Sequence, residues 1–236
     1  MTEVSSLTGR LLVASPALAD PNFDRAVVLL LDHDEEGALG VVLNRPTPVD
    51  VGDILESWAP LAGAPGVVFQ GGPVSLDSAL GVAVVPGDEP GEPGPGGRSG
   101  GRRPAGPGPG AVRAGEAGGA TGGAGAGTVG ARDGGPGGRE PLGWRRVYGA
   151  IGLVDLETPP ELLAAALGSL RIFAGYAGWG PGQLEGELAE GAWFVVDSEP
   201  GDVSSPEPQR LWRAVLRRQR SELAMIATYP DDPSLN

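Results

Sequence analysis

Residues 26–44 read AVVLLLDHDEEGALGVVLN. Two apolar runs, 26–32 and 38–44, flank the polar segment His33-Asp34-Glu35-Glu36-Gly37. Short runs rich in Val and Leu and bounded by turn residues are strands, and a glycine closing the loop takes the left-handed conformation a hairpin needs. Neither run alternates polar with apolar residues, so both faces of each strand are buried. The hairpin is therefore expected in the middle of a sheet covered on both sides.

The flanking sequence adds further elements to that hairpin. Leu11-Leu12-Val13-Ala14 is a buried-strand pattern halted by Pro16 and the turn-forming Asp20-Pro21-Asn22. Asp50 is placed to cap a short helix through Ile54, Leu55 and Trp58. Residues 67–70 then read as a strand entering Gly71-Gly72-Pro73, and 80–85 as another. Strand-like sequence resumes at Trp144 and 147–153. Thr158-Pro159-Pro160-Glu161 is a capping-box pattern that predicts a helix with Leu162, Leu163, Ala166, Leu167 and Leu170 on its inner stripe. A strand over 172–177, a turn over 178–182, a short helix over 183–190 and a strand over 193–197 follow. A second capping box, Ser204 to Glu207, predicts the start of a last helix packed through Leu211, Trp212, Val215 and Leu216. No internal repeat is present.

The 236 residues include 42 glycines and 24 prolines, and about half of the glycines fall within 87–141. That stretch has no aromatic residue and only Val112 and Val129 as large aliphatics. It cannot bury enough surface to offset its ordering entropy, so a disordered Gly/Pro-rich insert is expected there. The remainder, 1–86 with 142–236, is roughly 180 residues, enough for one well-buried core. The expected architecture is a single discontinuous α+β domain, with a mixed and largely antiparallel sheet covered by helices.

The formal charge is -13; of 30 acids and 17 basic residues, 87–141 holds six of each, leaving 24 acids against 11 arginines in the folded part. Such a balance repels a phosphate backbone, so nucleic acid is an unlikely partner. There is no cysteine, which excludes disulfides, thiolate nucleophiles and cysteine metal sites. No apolar stretch approaches a membrane span and the first ten residues do not form a signal sequence, so a cytoplasmic protein without membrane contact is expected.

Four blocks occur in a telling order: Leu11-Leu12-Val13-Ala14 with Pro16, Asp20, Pro21 and Phe23; Gly37-Ala38-Leu39-Gly40-Val41-Val42-Leu43-Asn44-Arg45-Pro46; Gly71-Gly72-Pro73-Val74; and Gly175-Tyr176-Ala177-Gly178-Trp179 with Gly182-Gln183-Leu184-Glu185. In these the chain resembles the YqgE/AlgH family over residues 9–86 and 144 to about 220. The resemblance implies a compact α+β fold on a mixed sheet in a bacterial cytosolic protein. Its biochemical role is largely unassigned, and some members carry the label of transcriptional regulator. The insert departs from the family pattern.

Several motifs point to chemistry and fail on their details. Asp32-His33-Asp34-Glu35-Glu36-Gly37 opens like a calcium loop, but position twelve is Leu43 where a bidentate Glu is needed. A solvated hairpin tip is the expectation. His33 is the only histidine, and no nucleophile elbow G-x-S-x-G accompanies it. Gly71-Gly72-Pro73 lacks the residues of a phosphate or dinucleotide loop and is expected to be a tight turn. Arg210, Arg213, Arg217, Arg218 and Arg220 cluster on the last helix, read here as a solvated face.

Tyr176, Trp179, Gln183, Glu185 and Glu187 form the densest group of aromatic and polar side chains, on a Gly-rich turn between strand and helix. Asn44 and Arg45 end a strand and are expected to face the same side. These seven residues are the candidate ligand- or partner-binding set. No catalytic residue, cofactor or metal is assigned. The expected role is a non-enzymatic binding or regulatory-accessory protein acting on an unknown protein or small ligand. The rivals are a DNA-binding transcriptional regulator and an enzyme using carboxylates near Glu185.

Overall fold

The computed structural model describes residues 6–18, 20–86 and 141–230. They belong to one compact unit, Met1–Pro90 with Glu140–Asn236. The expected insert, 87–141, lies outside the described residues except for Pro141.

Among the described residues the strands are β1 (Arg10–Ala14), β2 (Val27–Asp34), β3 (Gly37–Val42), β4 (Pro46–Asp50), β5 (Val67–Gln70), β6 (Val74–Val84), β7 (Trp144–Tyr148), β8 (Ile151–Val154), β9 (Ser169–Trp179) and β10 (Trp193–Asp197). The helices are α1 (Val51–Ile54), α2 (Gln183–Ala189), α3 (Pro200–Val203), α4 (Leu211–Arg218) and α5 (Leu223–Ile226), with 3-10 turns at Glu56–Leu61, Pro160–Leu162 and Pro208–Arg210. One sheet runs β10-β1-β2-β3-β9-β6-β8-β7. All of these neighbours are antiparallel. β5 lies parallel to β9 and antiparallel to β4. The sheet is mixed and largely antiparallel, as expected.

β9 is the spine. Along one edge it pairs with β6; along the other it takes β5 at residues 172–174 and then β3 at 177–179. Gly71 and Gly72 make this crossing possible. A Cβ on Gly71 would lie 2.3 Å from the Gly175 carbonyl oxygen, and one on Gly72 would lie 2.2 Å from the Tyr176 backbone. These glycines serve a close backbone approach.

Period-two alternation divides the core. Leu11, Val13, Val27, Leu29 and Leu31 face one side, which Val203, Leu211, Trp212, Val215 and Leu216 of α3 and α4 cover. Leu12, Ala14, Val28 and Leu30 face the other, covered by Leu184 of α2 with Trp179 and Trp193. The central hairpin is thus apolar on both faces because both faces are packed. A third cluster joins Trp58, Leu163, Leu170 and Ile172 under α1 and the 3-10 turns. Asp50 caps α1 through its Oδ1, which accepts from Gly52 N at 2.7 Å.

Two local patterns are overruled by pairing. The capping-box helix expected from Thr158 is only the Pro160–Leu162 turn with a few turn residues after it; Leu162 is exposed and Leu170 lies in β9. Gly168 N donates to Val84 O at 2.8 Å, so the chain must re-enter the sheet before a helix can lengthen. The helix expected from Ser204 begins later. Ser204 instead closes α3, its Oγ donating to Pro200 O, and α4 follows the Pro208–Arg210 turn without a side-chain cap. The 147–153 run is a hairpin, β7 to β8, and the strand expected over 172–177 extends through Trp179.

Candidate functional site

The end of β9 and the start of α2 bring most of the expected turn residues together. Gln183 and Glu187 are one helical turn apart and share a face. Gln183 Nε2 donates to Glu187 Oε1 at 3.0 Å, while Gln183 Oε1 accepts from Gly180 N at 3.2 Å. Glu187 Oε2 accepts from the indoles of Trp179 at 2.9 Å and Trp193 at 2.7 Å. The two indoles pack edge to face at 6.0 Å with Phe23 against both. Tyr176, an odd number of residues before Trp179, belongs to the other face of the sheet and packs near the Phe69 cluster.

Glu185 Oε1 lies 2.9 Å from His33 Nε2, and His33 Nδ1 accepts from Leu7 N at 3.0 Å. That pair of contacts fixes a neutral imidazole with its proton on Nε2, donated to the carboxylate. His33 is only 4% exposed, so the solvated hairpin tip is confined to Asp34, Glu35 and Glu36. The Glu185 carboxyl sits below its ordinary value. Its own backbone N–H is the main cause, burial opposes it, and the hydrogen bond from His33 adds to it.

Asn44 and Arg45 lie elsewhere. Ala38 pairs with Trp179, and Asn44 follows at the far end of the same strand direction, roughly 20 Å away at about 3.3 Å per residue. Asn44 is buried; its Oδ1 accepts from Val27 N at 2.9 Å and its Nδ2 donates to Arg25 O at 2.8 Å. Arg45 Nη2 donates to the Asp24 carbonyl. Together they pin the Asp24-Arg25 backbone, where Arg25 is held at φ 50°, a left-handed conformation uncommon for a residue with a side chain.

Pinned this way, Arg25 lays its guanidinium over the Trp212 ring at 5.0 Å and donates to Pro230 O. Arg213 approaches the same ring at 5.9 Å and donates to Ala227 O and Tyr229 O. The indole is itself anchored, Trp212 Nε1 donating to Ala14 O at 2.9 Å. Arg25, Arg45 and Arg213 surround a cavity of about 420 Å³, closed by Asp24, Asn44, Pro46, Gln209 and Trp212. Desolvation lowers the Arg45 pKa, with the Asp24 carboxylate partly restoring it.

The basic helix is therefore not a uniform solvated face. Arg218 binds the buried Asp202 at 2.6 and 2.8 Å, Arg210 reaches Glu207 at 3.3 Å, and Arg213 lines the cavity. Arg171 on β9 is a further cation, 1% exposed, held by the carbonyls of Ser205 and Ala64 and lying 4.4 Å over Phe69. Burial lowers its pKa to about 10. Among the described residues no group of three or more His, Asp or Glu is arranged to hold a metal, and no helix is long and apolar enough to cross a membrane.

A family model described as AlgH-like (DUF179) matches residues 11–96 and 133–224. The chain belongs to the AlgH-like family. This AlgH-like chain is 70% identical over 236 residues to a UPF0301 protein of Streptomyces coelicolor, covering 100% of this chain and 98% of that one. Its structure is similar to the crystal structure of a Corynebacterium diphtheriae protein, with a TM-score of 0.70 and 25% identity over 97% and 95% of the two chains. It shares the fold of the AlgH protein from Pseudomonas aeruginosa, with a TM-score of 0.55 and 23% identity over 98% of each chain. The four sequence blocks acquire a structural meaning in this AlgH-like fold. The Asn44-Arg45 block holds the loop carrying Arg25, and the Gly71-Gly72 block meets the Gly175-Tyr176 block where β9 changes partner.

Sequence reading missed Asp24, Arg25 and Gln209 as site residues and placed Trp212 and Arg213 in other roles. The faint signal was Arg25, a cation at the mouth of the longest apolar run.

Proposed function

We propose that this chain is a non-catalytic binding protein of regulatory-accessory type, and that its recognition site is the arginine-lined cavity, which takes a small anionic ligand. The observation that carries this reading is the gathering of Arg25, Arg45 and Arg213 around one cavity in a folded part that otherwise has more than twice as many acids as bases. Clustered guanidinium groups in a strongly acidic protein lower the local potential barrier for an anion. Burial strengthens the effect at Arg45, since a partly desolvated charge attracts its counter-ion through a lower dielectric.

The Trp179 to Glu187 turn supports a structural role by contrast. The Glu187 carboxylate already accepts from two indoles and an amide, and Glu185 accepts from His33. Duplex DNA is disfavoured by the acidic surround and by the pairing of Arg210 and Arg218 within the fold.

Thermal unfolding with a panel of anionic, neutral and cationic metabolites at fixed ionic strength tests the proposal. Anionic compounds are expected to raise the Tm of the wild type and to lose that effect in Arg45→Gln. Stabilisation by neutral or cationic compounds only, or by none, overturns it.

A further inference from the structure

We infer that Thr228–Pro230 is an autoinhibitory strap, hinged at Ala227, which gives way when an anion enters the cavity, an inference that rests on the anion-binding reading above. The bonds that hold the strap come from the cavity's own arginines. Arg213 donates from Nη1 to Ala227 O and from Nη2 to Tyr229 O, the latter at 3.0 Å, and Arg25 donates from Nη2 to Pro230 O. An anion therefore gains these Nη2 donors only by displacing two strap carbonyls. A carbonyl is neutral, so an anion that reaches the cavity competes for the same donors with a full charge. Arg45 differs, because its Nη2 donates to the Asp24 carbonyl and not to the strap.

Packing makes the strap easy to open. Ala227 is buried in the core, but Thr228 and Tyr229 are exposed and Pro230 is only partly buried. The preceding helix α5 has four residues, none of them buried. Segments with few buried contacts open at the low end of a protein's stability range. Opening does not scatter the arginines. The Arg25 and Arg213 guanidinium groups lie over the Trp212 ring at 5.0 and 5.9 Å, and the indole is fixed by its bond to Ala14 O. Both groups thus stay at the cavity wall when the strap leaves.

The experiment is amide hydrogen exchange of the full chain at constant ionic strength, with and without inorganic phosphate or malonate, each also scored for its effect on Tm. Linkage is reciprocal, so an anion that the strap opposes must itself open the strap. The amides of Thr228 and Tyr229 donate to Met225 O and Ile226 O at 3.0 and 2.9 Å. With the anion bound they are expected to exchange about fivefold faster or more, and in Arg45→Gln to keep their anion-free rate. Thr228→Gly combined with Tyr229→Gly raises the entropic cost of ordering the strap and alters no side chain that lines the cavity. This double variant is expected to bind the anion about five- to tenfold more tightly. Exchange that is slowed or unchanged, alongside an Arg45-dependent rise in Tm, overturns the strap and leaves the anion-binding reading standing. An affinity that the glycine variant does not improve has the same consequence. Binding by the glycine variant alone supports the strap, and failure of both anions to bind either protein removes both readings.

Discussion

Glu187 gathers three hydrogen bonds on one carboxylate, from Trp179, Trp193 and Gln183. Both indoles are buried, so Glu187→Ala strands two buried N–H donors, and a loss of about 2–4 kcal/mol in urea unfolding is expected. Gln183→Ala removes an exposed partner and should cost less than about 1 kcal/mol. Equal losses in the two variants would show that the amide, and not the carboxylate, holds the turn. Glu185 adds a pH dependence. Its folded carboxyl lies below the ordinary value of 4.5, so the unfolded chain binds the proton more readily and the stabilisation is complete above pH 4.5. It is lost as pH falls through the lower folded value. The stability gap between wild type and Glu185→Gln is therefore expected to be widest near pH 6 and to close toward pH 3; a gap that widens with acid contradicts the assignment. None of these bonds was legible in the sequence beyond the clustering of the side chains, because Trp193 and His33 reach them from other strands.

Strands were legible where burial alone dictates the pattern. β2 and β3 are apolar on both faces, and no helical period competes with that reading. Elements whose form depends on distant partners were not. The turns after Thr158 and Ser204 carry good local helix-start signals, yet backbone bonds to β6 and the closure of α3 take precedence. The candidate site divides in the same way. Asn44 and Arg45 stood out in the sequence, but the loop they hold lies 19 to 21 residues earlier and the other cavity wall comes from the C-terminal helix region. At the hairpin the glycine is required by its neighbour. Gly37 has φ 135°, and a Cβ there would stand 2.2 Å from the Trp179 carbonyl oxygen at the β3–β9 join. Gly37→Ala is expected to cost about 2 kcal/mol or more, from overpacking and backbone strain together. Thermal melting checks it, and an unchanged Tm would mean that the β3–β9 pairing yields without cost.

Over the whole molecule, the sheet order constrains the long segment between β6 and β7. Both strands are antiparallel to β8, which lies between them, so β6 and β7 run parallel. Parallel strands cannot be joined by a tight hairpin. Val84 lies opposite Ile151 and Trp144 opposite Val154, so these two ends are separated by two strand spacings, about 10 Å, and by three residue steps along β8, about 10 Å at 3.3 Å per residue. A two-residue turn fused directly from Val84 to Trp144 reaches only about 10 Å and is expected to unfold the β6–β8–β7 end of the sheet. Deleting residues 90–139 keeps the short flanks on both sides, and a brief flexible linker then supplies the crossing with reach to spare. Because that stretch contributes only Val112 and Val129 as large aliphatics, its removal should leave circular dichroism unchanged and the Tm within a few degrees. A Tm lower by more than about 10 °C corresponds to more than 1 kcal/mol and would show that the deleted segment contributes packing to the domain.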